Sequence, residues 1–295
     1  MVDQLQITPL HPTIGARVYG LDLCRPVSDA LRDAIDAAMD RHAVLVFPEQ
    51  ELDDEQQVAF ASRFGPIEDA ASGVKDRNPR LANRQINDIS NLAADGAIMA
   101  ADDRSRMYSL ANLLWHSDSS FKAVPAKYSL LHARLIPPEG GETEFADMRA
   151  AWDALPQKLQ RKVRDLVSDH SIIFSRTRLG FEAFSAQELQ RAEPVSQRLV
   201  RRHASTGRLS LFLSAHIGRI QGWQTPEALL LISDLTEFST QRQFVYQHVW
   251  SRHDLVIWDN RATMHRGRPF DTQAYPRDMR RVTVRGEAST LSESA

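Results

Sequence analysis

From Tyr108 onward one pattern recurs: short apolar or alternating runs, each closed by a turn signal. KYSLLHARLI, ETEFADM, LSLFLSAH, QFVYQHVW, DLVIWD and RRVTVRG succeed one another, with helical stretches near RAAWDALPQKLQRKVRDLV and TPEALLLISDLTEF. Many short strands separated by turns favour a sandwich, jelly roll or barrel. The first 70 residues read instead as mixed α/β. ARVYGLDL (16–23) alternates like a half-buried strand, and AVLVFP (43–48) is a compact apolar one. ALRDAIDAAMDRH is a helix that Asp29 can cap. DDEQQVAFASRFG has helical spacing, with Val58, Ala59 and Phe64 on related faces and Gly65 as its stop. The expected fold class is therefore β-rich α+β. No linker or repeat divides the chain, so residues 1–295 are expected to form one domain. Residues 66–106 are polar and suit surface loops or a mobile lid.

Charge narrows the choice of partner. Lys and Arg total 36 against 38 Asp and Glu, a net charge of −2, which gives no reason to expect nucleic acid or an anionic membrane surface. The single cysteine, Cys24, rules out an internal disulfide and a cysteine-based zinc site, and reads as a small buried apolar residue. The N-terminal residues lack the pattern of a signal peptide, and no apolar run approaches the ~20 residues of a membrane span. A cytoplasmic protein acting on a small molecule is expected.

LLWHSDSSF (113–121) places a histidine and an aspartate two residues apart. In an extended segment His116 and Asp118 would share a face with Leu114 and Ser120, ~7 Å apart along the strand. Alone, the pair is an incomplete metal site or an ordinary hydrogen bond. Downstream, HDLVIWDNRATMHRGRPFD runs an apolar strand into a polar turn, Asp259 and Asn260, and then His265. Two imidazoles and one carboxylate on one face of an ion, with open positions opposite, are the signature of non-haem Fe(II) oxygenases, whereas a structural zinc site is closed by four protein ligands. In PRDMRRVTVRG, strand alternation puts Arg277 and Arg281 on one face and Arg280 on the other. Guanidinium groups are the usual partners of carboxylates, so two of them near a metal suggest two anionic guests; a solvated basic strand is the plainer alternative. PPEGGETEFADM offers a tight turn at Gly140 and Gly141, then Thr143, whose hydroxyl either donates to a ligand or satisfies a strand edge.

Together, WHSD with Phe121, GGETEFADMRAAWDALP, WDNRATMHRGRPFD and the arginines beyond resemble the taurine/2,4-dichlorophenoxyacetate dioxygenase family. The resemblance covers nearly the whole chain, including AVLVFPEQELDDEQQVAFASRFGPIE, and the wording is closer to the phenoxyacetate branch. It implies a double-stranded β-helix, a form of jelly roll, with Fe(II), 2-oxoglutarate as co-substrate, and dioxygen. By position His116, Asp118 and His265 would hold iron. Thr143 and Arg277 would bind 2-oxoglutarate, and Arg281 the anionic head of the prime substrate. Asn112 matches a pocket position near substrate. The segment from 265 to 277 is one residue longer than the family's usual spacing, which leaves Arg280 as the alternative to Arg281. Lys75, in a polar loop, is a further candidate for the substrate anion, and homo-oligomers are common in the family. The implied reaction hydroxylates an aryloxyalkanoate next to its ether oxygen. Rival readings keep the chemistry but change the guest to taurine, an alkyl sulfate or another small sulfonate. Others replace it with a non-catalytic metal-dependent sensor of small acids, or with a metal hydrolase.

Overall fold

The computed structural model describes residues 5–69 and 80–293. Its spine is a seven-stranded sheet in the order Gln6–Pro9, Ala16–Tyr19, Val44–Phe47, Leu255–Asp259, Ala126–Leu135, Asp278–Arg285, Asn87–Ser90. All pairs are antiparallel except that of Ala16–Tyr19 with Val44–Phe47. VLVF and LVIWD are buried at every position, as strands covered on both faces must be. Alternation then sorts their side chains. Leu45, Phe47, Leu255 and Ile257 join a core with Ile35, Met39, Phe60 and Phe64, which come from or flank the helices Asp29–His42 and Asp54–Ser62. Val44, Val46, Val256 and Trp258 face the other way and pack with Phe145, from a smaller sheet. Burying each such side chain contributes roughly 1.5–3 kcal/mol.

That smaller sheet has the order Val245–His248, Thr143–Asp147, Thr263–Gly267. Ile217–Ile220, Val167–His170 and Val195–Arg198 form another, and Val200–Arg202 pairs with Leu209–Leu211. Here a second core gathers Leu199, Leu211, Leu213 and Met264 against the helices Met148–Ala154 and Thr225–Ser239. The result is a β-rich α+β fold of several sheets.

Some local features differ from expectation. Helix Asp29–His42 is capped by Ser28, whose hydroxyl accepts from the Leu31 amide, while Asp29 stands in the first turn; a cap needs the extended backbone that Ser28 has. In Asp54–Ser62 the buried face is Gln57, Phe60 and Ala61, with Ala59 exposed. The stretch read as one helix after Met148 breaks at Pro156 into Met148–Ala154 and Gln157–Val163, and its tail opens the strand Val167–His170, because proline disfavours helical backbone in the residue before it. Helices Ile172–Thr177 and Ala186–Arg191 carried no periodic signal long enough to predict. Asn87–Ser90 is an edge strand inside the polar 66–106 region, and Cys24 is half-buried rather than buried.

Candidate functional site

His265 lies on the strand Thr263–Gly267, and His116 meets it across an isolated antiparallel bridge. The His116 amide donates to the His265 carbonyl at 3.0 Å and the His265 amide returns the bond at 2.8 Å, which brings the ring centroids to 4.2 Å. LLWHSDSSF is therefore not a strand, as alternation suggested. A 3₁₀ turn, Leu110–Leu113, leads into the single bridge, and the chain then turns, with Ser119 at φ +54°. That turn, rather than a shared strand face, sets the Asp118 carboxylate 3.9 Å from His116 Nε2 and 3.7 Å from His265 Nε2. All three residues are buried, and their ligand atoms lie within 4.8 Å of one another.

Neighbouring groups prepare each ligand. The Nδ1–H of His116 donates to the Leu114 carbonyl at 2.7 Å, which leaves the Nε2 lone pair for a metal. Burial lowers the pKa of both rings, that of His265 well below its ordinary value, so both are neutral donors at pH 7. Burial alone would raise the Asp118 pKa, but Arg281 above all, then His265, His116 and the Ser129 hydroxyl, hold it below the usual carboxylate range. Arg281 Nη1 donates to Asp118 Oδ1 at 2.5 Å, and Ser129 Oγ to Oδ2 at 2.7 Å. Asn260 supports the other side of this group: its Nδ2 donates to Ser129 at 2.9 Å, and its Oδ1 accepts from the Asp118 amide and from Trp258 Nε1. Two neutral imidazoles and one ionised carboxylate, converging with no fourth protein ligand among the described residues, fit a divalent ion with exchangeable positions.

The centre opens on a pocket of about 250 Å³, lined in part by Asn112, Thr143, Trp258, Phe270, Arg277 and Arg281. Thr143 Oγ1 accepts from Trp250 Nε1 at 3.1 Å, which leaves its hydroxyl proton to donate into the pocket. Among the described residues the Arg277 side chain donates only to the Gly141 carbonyl, at 3.4 Å, its guanidinium lies 5.9 Å from the Phe270 ring centroid, and its Nε has no partner. Burial pulls Arg277 down to about 10, which keeps it charged at neutral pH. The turn that frames it needs glycine: Gly140 has φ +75°, and a Cβ there would lie 2.6 Å from the Pro269 carbonyl oxygen. Arg280 points away, bonded to Asp278 and Asp54, as alternation required.

Six of the expected positions thus meet around one pocket, Asp118 joins His116 and His265 beside it, and Lys75 lies outside the described residues. Several of the remaining histidines have structural hydrogen-bond partners. His248 bonds Asp254 and Tyr246, His203 bonds Asp259, His132 the Gln50 carbonyl, and His170 Ser168. Ser129, Asn260 and Trp250 were not singled out for these supporting roles. Asn260 stood in the polar turn before His265, but Ser129 looks like any polar residue in an apolar strand.

Comparison with known proteins agrees with this geometry. The family model described as taurine catabolism dioxygenase TauD, TfdA family matches residues 6–283. The alpha-ketoglutarate-dependent 2,4-dichlorophenoxyacetate dioxygenase of Cupriavidus pinatubonensis is 43% identical over 95% of this chain and 97% of its own. The (S)-phenoxypropionate/alpha-ketoglutarate-dioxygenase of Sphingobium herbicidovorans is 36% identical over 92% of each. The crystal structure of AAD-2 in complex with Mn(II) and N-oxalylglycine superposes with a TM-score of 0.94 at 49% identity, covering 97% of this chain and 99% of that one. With the family's two histidines and aspartate gathered in one buried centre, the chain belongs to the TauD, TfdA family of dioxygenases.

Proposed function

We propose that this protein is an Fe(II)- and 2-oxoglutarate-dependent dioxygenase acting on an aryloxyalkanoate. The observation that carries this reading is the buried His116–Asp118–His265 centre opening on a pocket that also holds Thr143 and Arg277. The similarity to phenoxyacetate and phenoxypropionate dioxygenases supports the substrate class. The fold is read as a double-stranded β-helix, supported by the packing of Phe145 of the small sheet against Val256 and Trp258 of the large one. Residues 1–295 form one domain, with 66–106 as a lid or loop region, in a cytoplasmic homo-oligomer that binds neither nucleic acid nor membrane. No described helix is long and apolar enough to cross a membrane.

His116, Asp118 and His265 hold the ferrous ion through two Nε2 atoms and a carboxylate. When bound, the ion supplies the redox chemistry that converts 2-oxoglutarate and dioxygen to succinate and carbon dioxide and hydroxylates the prime substrate. Arg277 holds the distal carboxylate of 2-oxoglutarate, and the Thr143 hydroxyl donates to the same molecule near the metal. N-oxalylglycine, bound in AAD-2, carries the same pair of carboxylates. Arg281 orients the anionic head of the substrate, Asn112 lines its approach, and Lys75 adds a second positive group. An acid anchored this way presents the carbon between its carboxylate and its ether oxygen. Hydroxylation there gives a hemiacetal or hemiketal, which collapses to a phenol and a 2-oxo acid without a hydrolytic base.

The test is succinate release with Fe(II), 2-oxoglutarate and dioxygen, comparing phenoxyacetate, 2-phenoxypropionate, taurine and no prime substrate. Succinate with a matching yield of phenol is the expected result. Succinate and sulfite with taurine alone would overturn the substrate class.

A further inference from the structure

Three arginines are buried among the described residues: Arg149, Arg176 and Arg201. Arg149 pairs with Asp147 at 3.0 Å and Arg201 with Glu293 at 2.5 Å. Arg176, on the short helix Ile172–Thr177, has no described carboxylate within ion-pair distance. Its Nη1 donates to Ser175 Oγ at 3.1 Å, its guanidinium carbon sits 4.5 Å from the Tyr108 ring centroid, and its Nε has no partner. A guanidinium cannot shed its proton, and burying one against neutral groups alone leaves its desolvation uncompensated. Such a group is poised for an anion that arrives from outside.

The surroundings say which anion. Ser175, its hydrogen-bond partner, also bonds His216 Nδ1 at 2.9 Å, and His216 packs against His116, so Arg176 borders the metal centre and its charge acts on His116 and Asp118. Asp118, the one acid it senses there, is already bonded to Arg281. A chain of ring contacts runs from Arg176 to the centre. Tyr108 packs edge-on to Phe181 at 5.6 Å, Phe121 edge-on to His216 at 4.9 Å, and His216 edge-on to His116 at 6.1 Å. Phe121 packs on the same small cluster as Tyr108 and Phe181. Arg277, assigned above to 2-oxoglutarate, lines the pocket with Thr143 and Phe270.

We propose that Arg176 is a further cation for the prime substrate, holding the anionic head together with Arg281 while the aryl ring lies along Tyr108 and Phe121. This deepens the reading above and rests on it. It also explains how Arg281 serves two partners: Arg176 shares the anion, so Arg281 keeps its bond to Asp118 when substrate enters.

The experiment is a calorimetric titration of the Mn(II)- and 2-oxoglutarate-loaded protein with phenoxyacetate and, separately, taurine. The unmodified protein is compared with Arg176→Gln and Arg176→Lys. Expected is a tenfold or greater loss of phenoxyacetate affinity in Arg176→Gln, partial recovery in Arg176→Lys, and 2-oxoglutarate affinity within threefold throughout. Unchanged phenoxyacetate binding overturns the proposal, and so does an equal loss of 2-oxoglutarate affinity, which marks a structural role. If the unmodified protein binds taurine and not phenoxyacetate, the aryloxy reading fails by itself. Arg176 is then judged on taurine: a tenfold loss supports its role and unchanged binding overturns it. Binding of neither acid to the unmodified protein overturns the proposal as well.

Discussion

Arg281 Nη1 lies 2.5 Å from Asp118 Oδ1, so the arginine assigned to the substrate anion is also bonded to the carboxylate assigned to the metal. The two roles are mechanically linked. A change at Arg281 must reach the metal through Asp118, and a change at the metal must reach the substrate through Arg281.

Arg281→Ala is therefore expected to weaken metal binding as well as prime-substrate use. Outer partners of a metal ligand are commonly worth about 10–100-fold in affinity, and a Mn(II) titration of the variant should fall in that range. Asp118→Ala should go further and abolish both metal binding and turnover while leaving a folded protein. Full activity in purified Asp118→Ala would remove the metal assignment.

Asn260 and Ser129 offer a cleaner test, since neither lines the pocket as described. Asn260→Ala removes the bonds that fix Ser129 and the Asp118 amide. A loss of about 10–100-fold in Mn(II) affinity is expected, with 2-oxoglutarate affinity of the metal-saturated enzyme little changed. If metal affinity is untouched, Asp118 is held by its turn alone.

Arg277→Ala should act on the co-substrate. Removing one partner of a buried charged hydrogen bond costs ~2–5 kcal/mol, so the 2-oxoglutarate KM should rise at least ~30-fold. The prime-substrate KM, measured at saturating 2-oxoglutarate, should stay close to its original value. The opposite pattern would exchange the roles of Arg277 and Arg281.

Acid should destabilise the fold through histidines that are not among the metal ligands. Burial pulls His132 down to about 4 and His170 to about 3. Above pH ~6.5 both are neutral in folded and unfolded chains and have no effect on stability. Below it the unfolded chain binds protons that the folded one refuses, so stability falls as pH drops, for His132 until about 4. At pH 5 the loss should be roughly 2 kcal/mol per ring. Urea unfolding at pH 7.5 and 5 measures it, and His132→Asn should make the slope shallower. Equal stability at both pH values in the original protein would contradict the burial argument.

The chemistry of the centre is carried by residue types and short spacings, which is why His116, Asp118, His265 and the inward pair Arg277 and Arg281 are legible in the linear chain. Strand alternation places Arg280 outside for the same reason: neighbours at i and i+2 are fixed by local backbone geometry. Local geometry also misleads at LLWHSDSSF, where an extended reading puts His116 and Asp118 together for the wrong reason. The bridge to His265 and the turn at Ser119 are what aim the carboxylate at the rings. Bonds from Asn260 to Ser129, from Trp250 to Thr143 and from His248 to Asp254 depend on which chain segments fold together, as does the lack of a partner for Arg176 Nε. No periodicity within one segment encodes them, because partnership across the fold is decided by sheet register and packing.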